Sequence, residues 1–152
     1  MMRFIYIIFL AIFCFSCSSI RKASSINNIL ISYESGSCYG KCEVYKFKLN
    51  KNKTIEYEGF KNIEMTGKYR AEISVNDFNE INKFIDVLDL KSLDTVYTSN
   101  STDLHLRILN LKQKKLNKKI LLLDNVPFEL KQIENKVFYI IEKYKTKFLR
   151  EL

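Results

Sequence analysis

Residues 42–59 read CEVYKFKLNKNKTIEYEG, and this stretch decides the fold. On both sides of a polar centre, large apolar side chains occupy every second position, which is typical of strands with one buried face. These residues are Tyr45, Phe47, Leu49, Ile55 and Tyr57. The central residues 50–53, NKNK, carry side chains common in turns. The stretch therefore predicts a β-hairpin that ends at Gly59 and places its aromatic residues in the core.

Two helices are predicted farther along the chain. The first begins after Ser74, which can cap it together with Asp77 three residues later. Apolar residues then recur with the 3.6-residue period of a half-buried helix over residues 78–88. The second helix begins at Pro127, because proline is accepted in the first turn of a helix, and it runs to about Phe148.

Further strands are predicted before and between the helices. In residues 104–111, Leu104, Leu106 and Ile108 alternate with His105 and Arg107, so His105 is expected to face solvent. Residues 120–123 form a continuous apolar strand, typical of the middle of a sheet. We therefore expect an α+β fold, an antiparallel sheet with two helices packed on one face, in the order strands, helix, strands, helix.

The first residues have the pattern of a secretory signal. Arg3 precedes an apolar run, residues 4–15, that is shorter than the ~20 residues needed to cross a membrane as a helix. Ser16 followed by Cys17 resembles a lipobox, where a signal peptidase cuts before a lipid-modified cysteine. The predicted organisation is a signal peptide at residues 1–16, a lipidated tether at 17–28 and a single α+β domain at 29–152.

This organisation places the protein in the bacterial cell envelope. Acyl chains such as palmitate on Cys17 would hold it to a membrane almost permanently, since each buried methylene contributes ~0.8 kcal/mol. No acidic cluster follows Cys17, and the expected location is therefore a membrane surface facing the periplasm.

The formal net charge of +8 comes almost entirely from lysine, since the chain has only five arginines. The lysines are dispersed and arginine is the better phosphate ligand, so no nucleic-acid partner is predicted. One local cluster, KQKKLNKK at residues 112–119, lies between two strand-like runs. It predicts a solvated hairpin turn, and the alternative interpretation is a contact with anionic lipid headgroups.

Residues 31–59, ISYESGSCYGKCEVYKFKLNKNKTIEYEG, are similar to a family of small envelope proteins catalogued as domain of unknown function 6438. The matching positions are Cys38, Gly40, Cys42, Tyr45, Tyr57 and Gly59, followed by Asp103 before a strand and Pro127 before the last helix. Glu43 stands where the family usually places proline, which loosens the turn and adds a charge. The resemblance implies a fold that covers nearly the whole domain, and it implies no activity.

Two of the four cysteines remain for pairing, because Cys14 is lost with the signal and Cys17 carries lipid. Thiols outside the cytoplasm tend to oxidise, so Cys38 and Cys42 are expected to form a structural disulfide. Closing so small a loop contributes roughly 2 kcal/mol in the chain-entropy description. Gly40 is expected to take a positive φ inside the ring.

Copper binding is the alternative function for this pair. Two thiolates and one imidazole suit copper, and His105 is the only histidine, so the ligands would be Cys38, Cys42 and His105. Zinc would lack a fourth ligand. Proximity of His105 to both sulfur atoms would favour copper, whereas an exposed apolar sheet face near Cys38 would favour docking of a protein.

The sequence has no GxSxG, HExxH or phosphate-binding glycine loop. Asp103 and Asp124 flank the second pair of strands and are interpreted as turn or cap residues. We therefore expect no catalysis and no cofactor. The predicted function is a lipid-anchored binding or scaffolding module, and a further alternative is an accessory subunit that docks another envelope protein through its exposed sheet face or basic turn.

Overall fold

The computed structural model describes residues 28–101 and 103–151. The strands are β1 (Ile29–Ser35), β2 (Val44–Asn50), β3 (Thr54–Lys61), β4 (Gly67–Glu72), β5 (Val96–Tyr97), β6 (Arg107–Gln113), β7 (Leu116–Leu122) and β8 (Leu149–Arg150). The helices are α1 (Val75–Val87) and α2 (Phe128–Tyr144), with a 3-10 turn (Lys145–Lys147) after α2. The predicted signal peptide, Cys17 and residues 18–27 of the tether lie outside the described residues.

The strands form one sheet in the order β5-β7-β6-β1-β2-β3-β4-β8. The α+β class and the order strands, helix, strands, helix are as the sequence predicts. All neighbouring strands are antiparallel except β5 and β7, which are parallel. The expectation of a purely antiparallel sheet is therefore wrong at one edge, where the short β5 lies beside β7.

The predicted hairpin is formed by β2 and β3. Phe47 lies opposite Tyr57, and Leu49 lies opposite Ile55. In the turn, the Asn52 carboxamide oxygen accepts hydrogen bonds from the backbone N–H and the hydroxyl of Thr54. Lys53 takes a φ of 68°, in the left-handed region that such tight turns require.

The core lies on one face of the sheet. A row of side chains on adjacent strands crosses it through paired positions, namely Ile120, Leu109, Tyr33, Phe47 and Tyr57. All five are buried, so the prediction that the aromatic residues of the hairpin belong to the core is confirmed.

Both helices contact this buried face. Gln113, at the end of β6, donates through its side-chain amide to the carbonyl oxygens of Ile85, Asp86 and Leu88 at the end of α1. Glu134 of α2 accepts hydrogen bonds from Tyr33 and from Arg107 of β6. Among the described residues, no helix is both long and apolar enough to cross a membrane.

The predicted helix starts are close to the observed ones. The Ser74 hydroxyl oxygen caps α1 by accepting from the Asp77 N–H, as the sequence indicates. Pro127 precedes the first residue of α2 and occupies the N-cap position. However, α2 ends at Tyr144, four residues before the predicted end, and the chain then turns so that Phe148 packs on Tyr57 and Tyr69.

The predicted alternation around β6 is reversed. β6 begins at Arg107, so Leu104 and Leu106 precede the strand, and Leu106 is 37% exposed. The buried residues of β6 are Leu109 and Leu111, which lie opposite Tyr33 and Ile31 of β1. Because side chains alternate along a strand, the pairing of these two leucines turns Arg107 towards the core and Ile108 away from it.

Candidate functional site

The disulfide loop, residues 36–43, connects β1 to β2 at one end of the sheet. Cys38 and Cys42 are joined by a disulfide, with their Cα atoms 5.8 Å apart. Tyr39 inside the ring is 92% exposed. Gly40 does not take the expected positive φ, since Gly67 is the only described glycine that does. A Cβ atom on Gly40 would lie an ordinary 3.7 Å from the Cys38 sulfur.

Three neighbouring segments hold the disulfide loop in place. The Ser35 hydroxyl donates to the carbonyl oxygen of Glu43 over 2.5 Å. The Asn62 side-chain amide donates to the carbonyl oxygen of Cys42 over 3.0 Å. The Tyr39 N–H donates to the Asp103 carboxylate over 3.4 Å. The loop therefore has a fixed position relative to β1, β3 and the segment that precedes β6.

His105 supports this end of the sheet instead of facing solvent. Its Nε2 atom lies 2.9 Å from the carbonyl oxygen of Gly36 and 3.0 Å from the Ser35 hydroxyl. Since a carbonyl oxygen can only accept, Nε2 carries a proton and donates it to Gly36. A protonated Nε2 cannot take the Ser35 proton, so the two side chains are not arranged as a catalytic base and nucleophile.

The geometry does not favour the copper alternative. The sulfur atoms of Cys38 and Cys42 are bonded to each other, and Nε2 of His105 is engaged with Ser35 and Gly36. Within residues 28–101 and 103–151, no group of three histidine, cysteine or acidic side chains could hold a metal ion.

The two candidate aspartates lie in loops. Asp103 anchors the disulfide loop through Tyr39, as described above. Asp124 follows β7, and hydrogen bonds from the Ser99 side chain and the Asn125 backbone lower the pKa of its carboxyl. These contacts agree with the interpretation of both residues as turn residues.

A cleft opens on the helix side of the same end of the sheet, and we call it the tyrosine cleft. Its volume is about 110 Å³. It is enclosed by β2 and β3, by the loop of residues 62–66 and by the second half of α2. The residues that define it here are Glu43, Tyr45, Tyr57, Glu64, Phe138 and Glu142. Because Glu43 directly follows Cys42, the disulfide loop fixes one wall of the cleft.

The rings of Tyr45 and Tyr57 stack with centroids 5.7 Å apart, and each residue is 2% exposed. Both hydroxyl oxygens are buried, and neither has a hydrogen-bond partner among the described residues. Burial raises the pKa of both phenols, and the nearby Glu43 carboxylate raises both further. Both hydroxyls therefore stay protonated, and neither the O–H donor nor the acceptor oxygen of either one is used in a hydrogen bond with a described residue.

Acidic side chains surround the tyrosine cleft. The carboxylates of Glu43, Glu64 and Glu142 line it, against one cation, Lys145. The Lys145 ammonium lies 2.6 Å from Glu64 and 3.9 Å from Glu142. No described residue forms a hydrogen bond or ion pair with the Glu43 carboxylate.

Gly59 allows the outer wall of the cleft to form. A Cβ atom at this position would lie 1.9 Å from the Met65 carbonyl oxygen, an impossible contact. Since both Ile63 and Met65 line the cleft, a side chain at position 59 would displace that wall. Gly59 therefore shapes the tyrosine cleft together with Tyr45 and Tyr57.

An apolar patch lies on the opposite face of the sheet, beside the disulfide loop. It consists of Val44, Phe60, Leu106 and Ile108 around Gly36. Phe60 is 48% exposed and Leu106 is 37% exposed. The ion pair of Lys46 with Glu34 borders the patch, and Lys48 pairs with Glu56 farther along the same face. The patch therefore contrasts with the polar surface around it.

Sequence reasoning missed the tyrosine cleft, and it named an exposed apolar sheet face near Cys38 only as a feature that would favour docking, without naming its residues. It placed Tyr45 and Tyr57 in the core, where they lie, but it gave no sign that their hydroxyls lack partners. The one available signal is the choice of tyrosine at positions where phenylalanine would fill a core equally well. The residues of the apolar patch were missed because residues 104–108 were assigned the opposite alternation.

The strand pair β2–β3 follows the two cysteines, Asp103 precedes β6 and Pro127 precedes α2, as the resemblance implied. No curated protein and no solved structure matches the chain. A family model, described as Domain of unknown function (DUF6438), matches residues 29–141. Because this match spans nearly all of the described domain, the chain belongs to that family.

Proposed function

We propose that the protein is a lipid-anchored module of the bacterial cell envelope that faces the periplasm and binds another envelope protein. Its anchor would be Cys17, exposed as the new N-terminus when residues 1–16 are removed. The disulfide agrees with this location, because disulfides persist in oxidising compartments outside the cytoplasm.

The observation that carries the proposal is the position of the apolar patch relative to the tether. β1 starts at Ile29, directly after the tether, and ends at Ser35, directly before the disulfide loop. Seven residues of strand span roughly 20 Å, so the disulfide loop and the patch lie at the end of the sheet opposite the tether. A tether of about 12 residues can extend up to ~40 Å, which leaves that end free to meet a partner.

The chemistry of this end suits a protein partner. Contiguous exposed apolar side chains rimmed by polar residues mark protein interaction sites. Phe60 and Leu106 provide such a surface, and the exposed Tyr39 on the adjacent disulfide loop is of the residue type enriched at interface hot spots. The patch thus favours binding or scaffolding over a role without a partner.

Site-specific photocrosslinking in cells tests the partner surface. A photoreactive phenylalanine derivative replaces Tyr39 or Phe60, and the same substitution at Lys115, near the tether, serves as the control. We expect one adduct of the same mass from positions 39 and 60, its loss when Leu106→Asp is added, and no such adduct from position 115. Adducts that are equal at all three positions, or insensitive to Leu106→Asp, would contradict the proposal.

A separate experiment tests the anchor. The wild-type protein should fractionate with membranes and carry acyl chains on an N-terminal Cys17 by mass spectrometry. Cys17→Ser should abolish both the acylation and the cleavage before residue 17. An unacylated wild-type N-terminus at any other residue would disprove lipidation at Cys17.

A further inference from the structure

We propose that the tyrosine cleft binds a small organic cation, an alkylammonium or guanidinium group. The proposal does not depend on lipid anchoring or on the apolar patch, which lies on the other face of the sheet. It rests on two unpartnered hydroxyls, an excess of carboxylates and aromatic walls that meet in one place.

The hydroxyls of Tyr45 and Tyr57 indicate that the cleft is incomplete without an occupant. A buried polar group without a partner costs roughly 1–3 kcal/mol, so proteins rarely keep two side by side. Phenylalanine at either position would keep the ring stacking and avoid that cost. A ligand with N–H donors would supply the missing partners, because each phenol oxygen can accept hydrogen bonds.

Charge decides which kind of ligand fits. After burial, the Glu43 carboxylate is the next largest cause that raises the pKa of both phenols; Glu142 acts on Tyr57 in the same direction, and Arg107 acts on Tyr45 in the opposite one. A negative potential that disfavours a phenolate favours a cation at the same place. Lys145 offsets only part of this charge, since it is already paired with Glu64. An anionic ligand would meet three carboxylates and one ammonium, which is already paired with Glu64 and Glu142.

The size and the walls of the cleft suit the end of an amine-bearing chain. About 110 Å³ holds a few heavy atoms, and a single water molecule occupies roughly 30 Å³ in the liquid. Phe138 forms the wall on the helix side and is 42% exposed, and its ring lies 6.4 Å from that of Tyr45. Aromatic faces attract ammonium and guanidinium groups, and they do so most strongly where water is excluded.

Titration calorimetry on the full chain in a neutral detergent tests the proposal. The probes are Nα-acetyl-lysine methylamide and ethylammonium, and the control is Nα-acetyl-norleucine methylamide, which has a similar chain without the charge. We expect the lysine derivative to bind and the norleucine derivative to bind at least tenfold more weakly. Equal binding of ethylammonium and the lysine derivative would indicate a free amine as the ligand, whereas preference for the lysine derivative would indicate a side chain of a protein. Equal binding of the charged and neutral compounds, or no binding of either amine, would overturn the proposal.

Matched variants locate the binding site. Glu43→Gln and Tyr45→Phe should each weaken amine binding roughly tenfold, the usual effect of losing a hydrogen bond to a charged group. Tyr45→Phe should leave the thermal stability of the free protein unchanged or raised, because it removes an unpartnered hydroxyl. Tyr33→Phe is the control, since its hydroxyl bonds to Glu134 outside the cleft. It should lower stability and leave amine affinity unchanged. Unchanged affinity in both Glu43→Gln and Tyr45→Phe would overturn the assignment.

Discussion

Glu134 is a buried carboxylate, 4% exposed, between α2 and the sheet. It accepts a hydrogen bond from the Tyr33 hydroxyl over 2.9 Å and from the Arg107 guanidinium over 3.1 and 3.2 Å. Arg107 also donates to the Leu123 carbonyl oxygen. One acidic side chain thus joins α2 to β1 and β6, and its negative charge compensates a cation that faces the core.

Removal of the Glu134 charge should therefore destabilise the fold. In Glu134→Gln, Arg107 stays largely buried without a counter-charge, and breaking such a pair costs on the order of 3 kcal/mol. Glu80→Gln is the control, because the Glu80–Lys136 pair lies at the surface with Glu80 mostly exposed, and exposed pairs contribute about 1 kcal/mol or less. Urea unfolding of both variants at pH 7 measures the difference. Equal losses in the two variants would contradict this account.

The disulfide should contribute less than the Glu134 network. A ring of five residues restricts the unfolded chain only slightly, so the double substitution Cys38→Ser and Cys42→Ser should lower the free energy of unfolding by roughly 2 kcal/mol. Reduction of the wild-type protein should produce the same loss, with no further effect of reductant on the double variant. A reductant effect that persists in the variant would show that the loss has another origin.

At the scale of elements, α1 and α2 are joined through Asp77. Its carboxylate accepts hydrogen bonds from the Ser74 hydroxyl, from Tyr144 and from Lys143 near the end of α2. Burial alone would raise the pKa of Asp77, but these three hydrogen bonds outweigh it and hold the pKa at about 2. The Ser74 N–H donates to the Tyr144 hydroxyl instead of to Asp77, so the capping box extends to the second helix.

The depressed pKa of Asp77 predicts acid sensitivity. The folded state favours the ionised form of Asp77. Its contribution to the free energy of unfolding is therefore complete above about pH 4 and is lost as the pH falls through about 2. This contribution to the free energy of unfolding should be about 2 kcal/mol. Denaturant unfolding from pH 6 to pH 2 should show this loss in the wild type, and Asp77→Asn should be less stable at pH 6 with a flatter pH profile. A parallel profile in Asp77→Asn would contradict the assignment.

Local signals in the sequence predicted the elements better than their arrangement. The Ser74 cap, the Pro127 helix start and the β2–β3 hairpin depend on residues a few positions apart, and all three are correct. β5 and β8 have two residues each and depend on partners far along the chain, so no periodicity indicates them. The tyrosine cleft could not be predicted for the same reason, because residues 43–65 meet residues 138–145 only after α2 has packed.

At the scale of the molecule, lysines collect at the end of the sheet where the tether enters. The Lys51 N–H donates to the carbonyl oxygen of Asn28, which places the β2–β3 turn beside the start of β1. Ile31 pairs with Leu111, so the β6–β7 turn with the exposed Lys114 and Lys115 lies at the same end. The predicted hairpin turn in residues 112–119 is confirmed, and its position leaves the lipid-contact interpretation open to a direct test.

If the tether holds this end of the sheet near a membrane, the lysines at this end should contact anionic headgroups. Each such lysine contributes about 1 kcal/mol to the binding free energy. In a chain that lacks residues 1–17, Lys114→Gln with Lys115→Gln should lower the affinity for anionic vesicles about 30-fold, following from roughly 2 kcal/mol. The matched control is Lys41→Gln with Lys61→Gln, which removes the same charge at the disulfide-loop end. It should have a much smaller effect, and the affinity of the unsubstituted chain should fall as salt is raised, because exposed charges are screened. Equal losses from the two double substitutions would show that the attraction depends on net charge alone. The domain would then have no electrostatically preferred orientation on an anionic surface, and the basic turn would be a solvated turn and nothing more.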